Sequence, residues 1–323
     1  MTLDSWKHLA SLLTEAAERA AADRHTAISK PGHDSGLLRK TSRTTLAKGD
    51  VVLGRFKILR WLGSGGMGEV YEAFDYELAH VIALKLIRPE IAGNDHLFAQ
   101  FEREVQIARL VSAATICRIH ELFVFKDPRG ANKSALMTME FLEGITLADA
   151  LRRGPLRHSE ARSIALDICQ ALTTMHAAGI VHRDLKTRNI MLLDCDGRRR
   201  AVVMDFGPAY EVCTISGNAD TALAAPGEFL GPSACRAPEQ FQGGPITAST
   251  DIYALGVVLH ELARGKRPAG RLLDVPAAHR WDAVVQRCLR FGPADRYQSA
   301  AEVARALRLS ELKPPIFRRR FHS

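Results

Sequence analysis

Eight consecutive residues carry the strongest signal in this chain: His182-Arg183-Asp184-Leu185-Lys186-Thr187-Arg188-Asn189. They hold a carboxylate, an ammonium group and a carboxamide close together. Transfer of a phosphoryl group to a hydroxyl needs such a set, because it requires a proton acceptor, a cation beside the moving phosphate and an oxygen ligand for a metal ion. A second metal-binding carboxylate follows in Asp205-Phe206-Gly207. The fold must therefore be one that assembles a phosphoryl-transfer site.

A glycine-rich loop lies upstream, in Gly63-Ser64-Gly65-Gly66-Met67-Gly68-Glu69-Val70. Glycines let backbone N–H groups approach phosphate oxygens, because no Cβ atom stands in the way. A dinucleotide-binding loop has similar glycines, but it joins a strand to a helix. Here strand-like segments lie on both sides, at 56–62 and 70–74. We therefore favour a phosphate-binding hairpin over a dinucleotide loop or an ordinary glycine-rich turn.

Lys85 follows the apolar residues Ile82-Ala83-Leu84, where an ammonium group needs an anionic partner. The α- and β-phosphates of ATP would serve, with a helix carboxylate holding the amine. We expect that carboxylate to be Glu104, since Glu102 points about 200° away around the same helix. Without Lys85, a solvated helix face would be the better interpretation of Glu104.

The hydrophobic pattern changes along the chain from strands to helices. In the first part, strands are predicted at 56–62, 70–74, 81–87, 119–125 and 135–141, and one helix at 95–112. In the second part, helices are predicted from N-cap Ser159 to Gly179 and at 251–264, 281–289 and 299–309, with short strands at 190–193 and 202–204. The pattern predicts an α+β fold with a small antiparallel β lobe and a larger, mainly helical lobe.

Composition places the chain among ordinary globular proteins, with 46% hydrophobic and 25% charged residues. The net charge of +8 raises nucleic acid or an anionic membrane as partners. The basic residues are dispersed, however, without interleaved stacking aromatics, so we expect neither. No run reaches the ~20 apolar residues of a membrane helix. The start of the chain also lacks the pattern of a signal peptide.

The cysteines lie far apart and form no Cys-x-x-Cys pair, which argues against a zinc or thioredoxin-like site. They are Cys117, Cys169, Cys195, Cys213, Cys235 and Cys288. We expect mostly buried thiols and a reducing cytoplasm.

The ordered motifs resemble those of the eukaryotic-type (Hanks-type) serine/threonine protein kinases of bacteria, from about Phe56 to Leu309. They are the glycine loop, Lys85, Glu104, Asp184, Asn189, Asp205 and Ala237-Pro238-Glu239. The resemblance implies a bilobal protein-kinase-like fold, ATP with Mg²⁺ or Mn²⁺ as cofactors, and proteins with Ser or Thr acceptors as substrates. It also implies a kinase domain at 51–312, with lobes at 51–142 and 143–312. Apolar spacing predicts a helix at 4–24, and composition predicts a polar linker up to residue 50 and a basic tail at 313–323.

The resemblance also implies roles for single residues. Asp184 would accept the hydroxyl proton, Lys186 would neutralise the γ-phosphate, and Asn189 with Asp205 would hold the metal ion. Asp251 would brace the catalytic loop. The remaining roles are ion pairs of Lys85 with Glu104 and of Arg296 with Glu239, and nucleotide contacts by Leu62, Gly63, Gly65, Gly68, Val70, Ala83, Lys85, Met139, Glu140, Leu142 and Met191. For the apolar members, core packing is almost as good an account.

Two features of the resemblance concern substrate and regulation. Lys186, two residues after the aspartate, resembles serine/threonine rather than tyrosine kinases. Arg183 before the aspartate is associated with phosphorylation of the activation loop, where a phosphate of charge about −1.5 to −2 would pair with it. The loop between Gly207 and Ala237 contains Thr214, Ser216 and Thr221. We expect autophosphorylation there, with self-association as one route to it.

The chain departs from the family pattern in three places. Pro232 replaces the usual threonine before Ala-Pro-Glu, and Ser233 is the nearest hydroxyl. Pro208 follows Asp-Phe-Gly, where it restricts the preceding glycine. Residues 267–279 are too few for the usual docking helix and loop. Pro232 and the shortened region leave open an ATP-binding pseudokinase that acts as an interaction module. A third hypothesis is a small-molecule kinase of the aminoglycoside or choline type, against which the Ala-Pro-Glu segment and Asp251 argue.

Overall fold

The structure, a computed structural model, describes residues 44–126, 133–195, 197–205, 236–265 and 279–310 of the 323-residue chain. The predicted N-terminal helix, the basic tail, the loop hydroxyls, Cys213, Cys235, Pro208, Pro232 and Ser233 lie outside these ranges. The chain divides into two compact units, residues 1–86 and 87–323. None of the helices within the described ranges is long and apolar enough to cross a membrane.

The first unit is built on a β-sheet whose strands follow one another in chain order. They are β1 (Val51–Val52), β2 (Phe56–Gly65), β3 (Gly68–Asp75) and β4 (His80–Ile87). β2 pairs antiparallel with both β1 and β3. Alternation along β2 buries Phe56 and Ile58 on one face, as expected for a half-buried strand. The predicted strands of this unit are confirmed.

The glycine loop closes the β2–β3 hairpin. Gly65 pairs with Gly68 and Gly63 with Val70, so the loop joins two strands. Gly68 has a φ of +157°, which a residue with a Cβ atom rarely adopts. This connection confirms the predicted hairpin and contradicts the dinucleotide-loop alternative, which needs a helix after the glycines.

The second unit begins with two helices and a strand pair. They are α1 (Pro89–Ala92), α2 (Asp95–Leu110), β5 (Ile119–Lys126) and β6 (Lys133–Glu140), and β5 pairs antiparallel with β6. The Asn94 side chain caps α2 by accepting a hydrogen bond from the Leu97 N–H at 3.1 Å. Phe98, Phe101 and Val105 are buried at helical spacing. Glu104 thus lies on a helix whose apolar face is buried.

The remainder of the second unit is mainly helical. It contains β7 (Gly144–Thr146), α3 (Leu147–Arg153), α4 (His158–Ala177), β8 (Ile190–Cys195), β9 (Arg198–Val203), α5 (Pro238–Gln242), α6 (Ala248–Arg264), α7 (Asp282–Cys288) and α8 (Ala300–Ser310). The strands form a small sheet in the order β7-β8-β9. Helix α6 is buried at every residue from Thr250 to Leu262, which makes it the centre of the core. A helix held on all sides is a rigid support for side chains that brace a site.

Most predicted elements of this unit are confirmed, with one error at a helix start. Helix α4 begins at His158 after Arg157 and has no side-chain cap, so Ser159 is not its N-cap. Its end is as predicted, because Gly179 follows with a φ of +75°. The short elements α1, β7, α3 and α5 were not predicted, since so few residues show little periodicity.

Candidate active site

Helix α6 holds the catalytic loop through one buried carboxylate. Asp251 is fully buried, and its Oδ2 accepts hydrogen bonds from the His182 N–H and from His176 Nε2, both at 2.8 Å. Its Oδ1 accepts the Arg183 N–H at 2.9 Å. Hydrogen bonds to a charged acceptor are stronger than hydrogen bonds between neutral groups, and burial strengthens them further. The predicted brace is confirmed, and His176 is a member of it that the sequence did not reveal.

The braced backbone is strained at one residue. Arg183 has a φ of +67°, a region that residues with a Cβ atom rarely occupy. Such a conformation costs on the order of 1–3 kcal/mol and persists only where surrounding bonds hold it. The N–H of Arg183 is bonded to Asp251, and its carbonyl accepts from the Gln240 side chain at 3.0 Å. Strain is thus held at the residue that immediately precedes Asp184.

Three of the predicted catalytic and metal-binding side chains form one hydrogen-bonded group. Lys186 Nζ lies 2.6 Å from Asp184 Oδ2. The Asn189 amide nitrogen donates to the Asp184 carbonyl at 2.9 Å and to its Oδ2 at 3.2 Å. The Asp184 side chain is 50% exposed. A carboxylate that is both oriented by neighbours and open to solvent is suited to receive a proton from an incoming hydroxyl.

A second buried carboxylate anchors the loop further along. Thr187, 1% exposed, donates its hydroxyl hydrogen bond to Glu261 Oε2 of helix α6 at 3.0 Å. Glu261 itself is 4% exposed. Helix α6 therefore fixes the loop at both ends, at Asp251 before the catalytic aspartate and at Glu261 after it. The sequence did not reveal this contact, because its partners lie far apart in the chain.

The Ala-Pro-Glu segment is tied to the same support. Glu239 accepts two hydrogen bonds from the buried Arg296 guanidinium, at 2.7 and 2.8 Å, and one from Thr250 at 3.0 Å. Burial acts to raise the pKa of Glu239, but these bonds outweigh it and leave the pKa below its usual value. The predicted ion pair is confirmed. Gln240 then connects this segment to the catalytic loop through the Arg183 carbonyl.

Glu104 of helix α2 has a partner that the sequence did not suggest. Nη1 of Arg183 donates to both of its carboxylate oxygens, at 2.9 and 3.2 Å. Each of the two side chains is about three-quarters buried. The Arg183 Nε atom is also buried, with no hydrogen-bond partner among the described residues. Glu104 is thus bonded to the residue that a loop phosphate was expected to bind.

The two proposed metal ligands are neighbours through the backbone. The N–H of Met204, the residue before Asp205, donates to the Asn189 carbonyl at 2.9 Å. Because the Asn189 nitrogen faces Asp184, its side-chain oxygen is the atom left for a cation. The described ranges contain no group of three or more His, Cys, Asp or Glu side chains that could hold a metal ion. An amide and a carboxylate fit Mg²⁺ that is otherwise held by waters and substrate phosphates.

Asp205 borders a small apolar hollow in the second unit. The hollow is lined by Asp205 together with Cys117, Ile119, Met137 and Met139. The Asp205 backbone has a φ of +57°, a second strained residue of the site. The predicted gatekeeper Met139 therefore does line a cavity with the proposed metal ligand.

The other nucleotide residues predicted in the second unit lie on β6 and β8 and between them. Glu140 is exposed, and its N–H donates to the Arg118 carbonyl at 2.9 Å. Leu142 and Met191 are half-buried. Each leaves apolar surface accessible, which a residue of the closed core would not do, but their contact with adenine stays a prediction.

In the first unit, β2, β3 and β4 carry the remaining predicted residues. Lys85 is 4% exposed, and its Nζ lies 3.9 Å from the Met67 sulfur of the glycine loop. A Cβ atom built on Gly63 or Gly65 would meet nothing within 4 Å, so open space faces these two glycines. The others on these strands are Leu62, Gly68, Val70 and Ala83. The amine of Lys85 therefore lies beside the loop expected to cover phosphate.

Comparison with known families gives one match over most of the chain. The family model described as "Protein kinase domain" matches residues 56–299. Serine/threonine-protein kinase PknB of Mycobacterium tuberculosis is 33% identical over 282 residues, covering 81% of this chain and 44% of PknB. Serine/threonine-protein kinase PknD of the same organism is 34% identical over 274 residues, covering 78% of this chain and 39% of PknD. The chain thus spans less than half the length of these relatives.

A solved structure shares the fold. The crystal structure of the Mycobacterium tuberculosis PknI kinase domain superposes with a TM-score of 0.63 at 26% identity, covering 82% of this chain and all of that domain. The α+β fold, with a sheet-rich N-terminal part and a helical part after it, is therefore that of a protein kinase domain. The predicted fold class is confirmed.

Proposed function

Because the chain belongs to the protein kinase family, we propose that it is a serine/threonine protein kinase that transfers the γ-phosphate of ATP to Ser or Thr hydroxyls of proteins. The observation that carries this proposal is the group formed by Asp184, Lys186 and Asn189 on a loop held by Asp251. Catalysis of phosphoryl transfer depends almost entirely on positioning and charge. This group supplies both.

Each side chain has a task that follows from its geometry. Asp184 orients the acceptor hydroxyl and takes its proton on the carboxylate, which Lys186 and Asn189 hold in place through Oδ2. The Lys186 ammonium then offsets the charge that moves onto the γ-phosphate. Asn189 and Asp205 would hold Mg²⁺ or Mn²⁺, which neutralises phosphate charge when bound. Lys85 beside the glycine loop would hold the phosphates, and its pairing with Glu104 stays a prediction.

The rival interpretations have less support. A pseudokinase would be expected to lose Lys85, Asp184 or Asp205, and all three are present. A small-molecule kinase would lack the Ala-Pro-Glu segment and its brace, whereas Glu239 here is bonded to a buried arginine. The relatives are, in addition, named as serine/threonine-protein kinases. We therefore prefer a protein hydroxyl as the acceptor.

Activation by phosphorylation is part of the proposal. A phosphate on Thr214, Ser216 or Thr221 would compete with Glu104 for Arg183, and its three acceptor oxygens could also satisfy the buried Nε of that arginine. Phosphosite mapping after incubation with MgATP checks this step. Modification of at least one of the three is expected, and their complete absence would contradict it.

Partners and location stay predictions. Self-association for autophosphorylation, the absence of nucleic-acid binding and a cytoplasmic location rest on the sequence. The four cysteines in the described ranges are free thiols, which agrees with a reducing compartment.

The test is incorporation of labelled phosphate from ATP by the wild-type chain and by Asp184→Asn. Removal of a general base reduces the rate by about 10²–10⁴-fold. Asp95→Asn, which changes a carboxylate that is 98% exposed, is the matched control and should retain full activity. Equal incorporation by wild type and Asp184→Asn would defeat the proposal.

A further inference from the structure

Arg188 is an exposed cation on the catalytic loop, fixed between two buried residues. Thr187 is 1% exposed and Asn189 7%, whereas Arg188 is exposed. Both neighbours are anchored by side-chain hydrogen bonds, Thr187 to Glu261 and Asn189 to Asp184. The backbone of Arg188 is therefore held in place while its side chain projects to solvent.

The position of Arg188 is tied to that of the proposed base. The side-chain amide nitrogen of the neighbouring Asn189 lies 3.2 Å from Asp184 Oδ2. Consecutive Cα atoms are about 3.8 Å apart, and an extended peptide spans about 3.3–3.6 Å per residue. The Arg188 backbone therefore lies about as far from the Asp184 carboxylate as two or three residues of a bound protein segment span from its hydroxyl.

Three carboxylates near this turn are already engaged. Asp184 is bonded to the neighbouring lysine, and Glu261 is buried. On helix α3, which packs against the turn, Asp149 is paired with Arg152. In the described part of the chain, no acidic side chain forms an ion pair with Arg188. None of the carboxylates in the described ranges therefore neutralises its charge.

We infer that Arg188 is a specificity-determining residue that selects Asp or Glu close to the acceptor Ser or Thr, so that the substrates are acidic protein segments. This inference rests on the proposed kinase function. A guanidinium group presents a planar set of donors that matches a carboxylate. Because the contact is exposed to solvent, each acidic residue should change substrate selection only about two- to fivefold.

The test uses peptides with a single Ser in a neutral Gly/Ala background. One Asp or one Lys is placed in turn at each position from about −3 to +3, the range set by the peptide spacing. For the wild-type chain we expect kcat/KM to favour Asp over Lys at one or two positions, by about fivefold or more because attraction and repulsion add. Added salt should reduce the preference, since it screens exposed charges.

Two variants and a control identify the residue responsible. Arg188→Glu should reverse the preference at the same positions, and Arg188→Lys should retain its sign. Arg305→Glu changes an exposed arginine on helix α8 by the same charge and should leave the preference as in wild type. The ratio of kcat/KM for the Asp peptide to that for the Lys peptide is compared within each protein, so a variant that is partly unfolded keeps its ratio and selection is separated from a folding defect.

The outcomes distinguish this inference from the proposed function. Labelling of the neutral peptide with no Asp preference, or an unchanged preference in Arg188→Glu, overturns the inference and leaves the kinase function standing. If the chain transfers no phosphate to any peptide, peptide binding is measured instead by fluorescence anisotropy with ADP present. A chain that transfers no phosphate but binds Asp peptides in an Arg188-dependent way refutes the kinase function and, with it, selection at an acceptor, and leaves only an acidic-peptide contact at Arg188.

Discussion

Replacement of Arg296 by methionine should destabilise the second unit strongly. The Arg296 side chain is completely buried and donates two hydrogen bonds to Glu239. Three more go to backbone carbonyls, those of Ser249, Arg290 and Phe291, at 2.8–2.9 Å. Methionine retains much of the volume of the stem but donates none of these bonds. The free energy of unfolding should therefore fall through lost charge pairing rather than through an empty cavity.

The loss in the free energy of unfolding depends on the hydrogen bonds that Glu239 keeps in Arg296→Met. Glu239 is 6% exposed, and of the side-chain hydrogen bonds that it accepts within the described ranges only the one from Thr250 would remain. A buried carboxylate would therefore lose its counter-charge. Breaking one partner of such a pair costs about 3–5 kcal/mol. For a domain of this size each kcal/mol corresponds to about 2–4 °C, which gives a decrease in Tm of roughly 6–20 °C.

The pH dependence has a definite sign. In the wild-type chain the pKa of Glu239 is below its ordinary value of 4.5, so its stabilising contribution is complete above that value and is lost as pH falls through the lowered pKa. In Arg296→Met, burial without the counter-charge raises the pKa of Glu239. The variant then gains from proton uptake as pH falls. The stability difference between the two proteins should be largest near neutral pH and should narrow on acidification.

Urea unfolding and thermal melting at about pH 7 and about pH 5 measure this difference. The double variant Glu239→Leu/Arg296→Met removes both charges and should recover most of the loss, because a buried pair is often replaceable by apolar residues. Arg305→Met, at an exposed arginine, is the control and should change Tm little. A shift of the Arg296→Met variant below about 2 °C, or a stability difference independent of pH, would refute the reasoning.

Three further predictions concern helix α6 and the loop it supports. Thr187→Val removes the hydroxyl that donates to Glu261 Oε2, so thermal melting should reveal a loss of about 1–3 kcal/mol, and an unchanged Tm would contradict the anchoring role. Asp251→Asn replaces one acceptor by a donor facing loop N–H groups, and kcat should fall about 10²-fold with the KM for ATP nearly constant; a rise in KM alone would argue against a positioning role. Gly256→Ala places a Cβ 2.6 Å from that of Cys288, so denaturant unfolding should give about 1–3 kcal/mol of destabilisation, whereas a neutral result would mean that helix α7 moves away freely.

Local patterns in the sequence were sufficient for much of this fold. The periodicity of β2 and α2 marks each element, since burial of one face leaves a repeat of two or of three to four residues. Helix α6 is marked instead by its continuous apolar sequence, because it is buried on all sides. Glycines also marked the ends of helices. Gly265, for example, follows the last residue of α6 and adopts the left-handed conformation, with a φ of +68°. The order of the motifs was enough to indicate phosphoryl transfer and the residues expected to perform it.

The tertiary structure decided the partners of those residues. Glu104 is bonded to Arg183, which lies 79 residues away, and Thr187 to Glu261, 74 residues away. A sequence displays side-chain chemistry and local repeats, but not which distant side chains packing will bring together. Only the fold could show that one buried helix holds the catalytic loop at two points, because that arrangement results from the burial of α6 rather than from any local pattern.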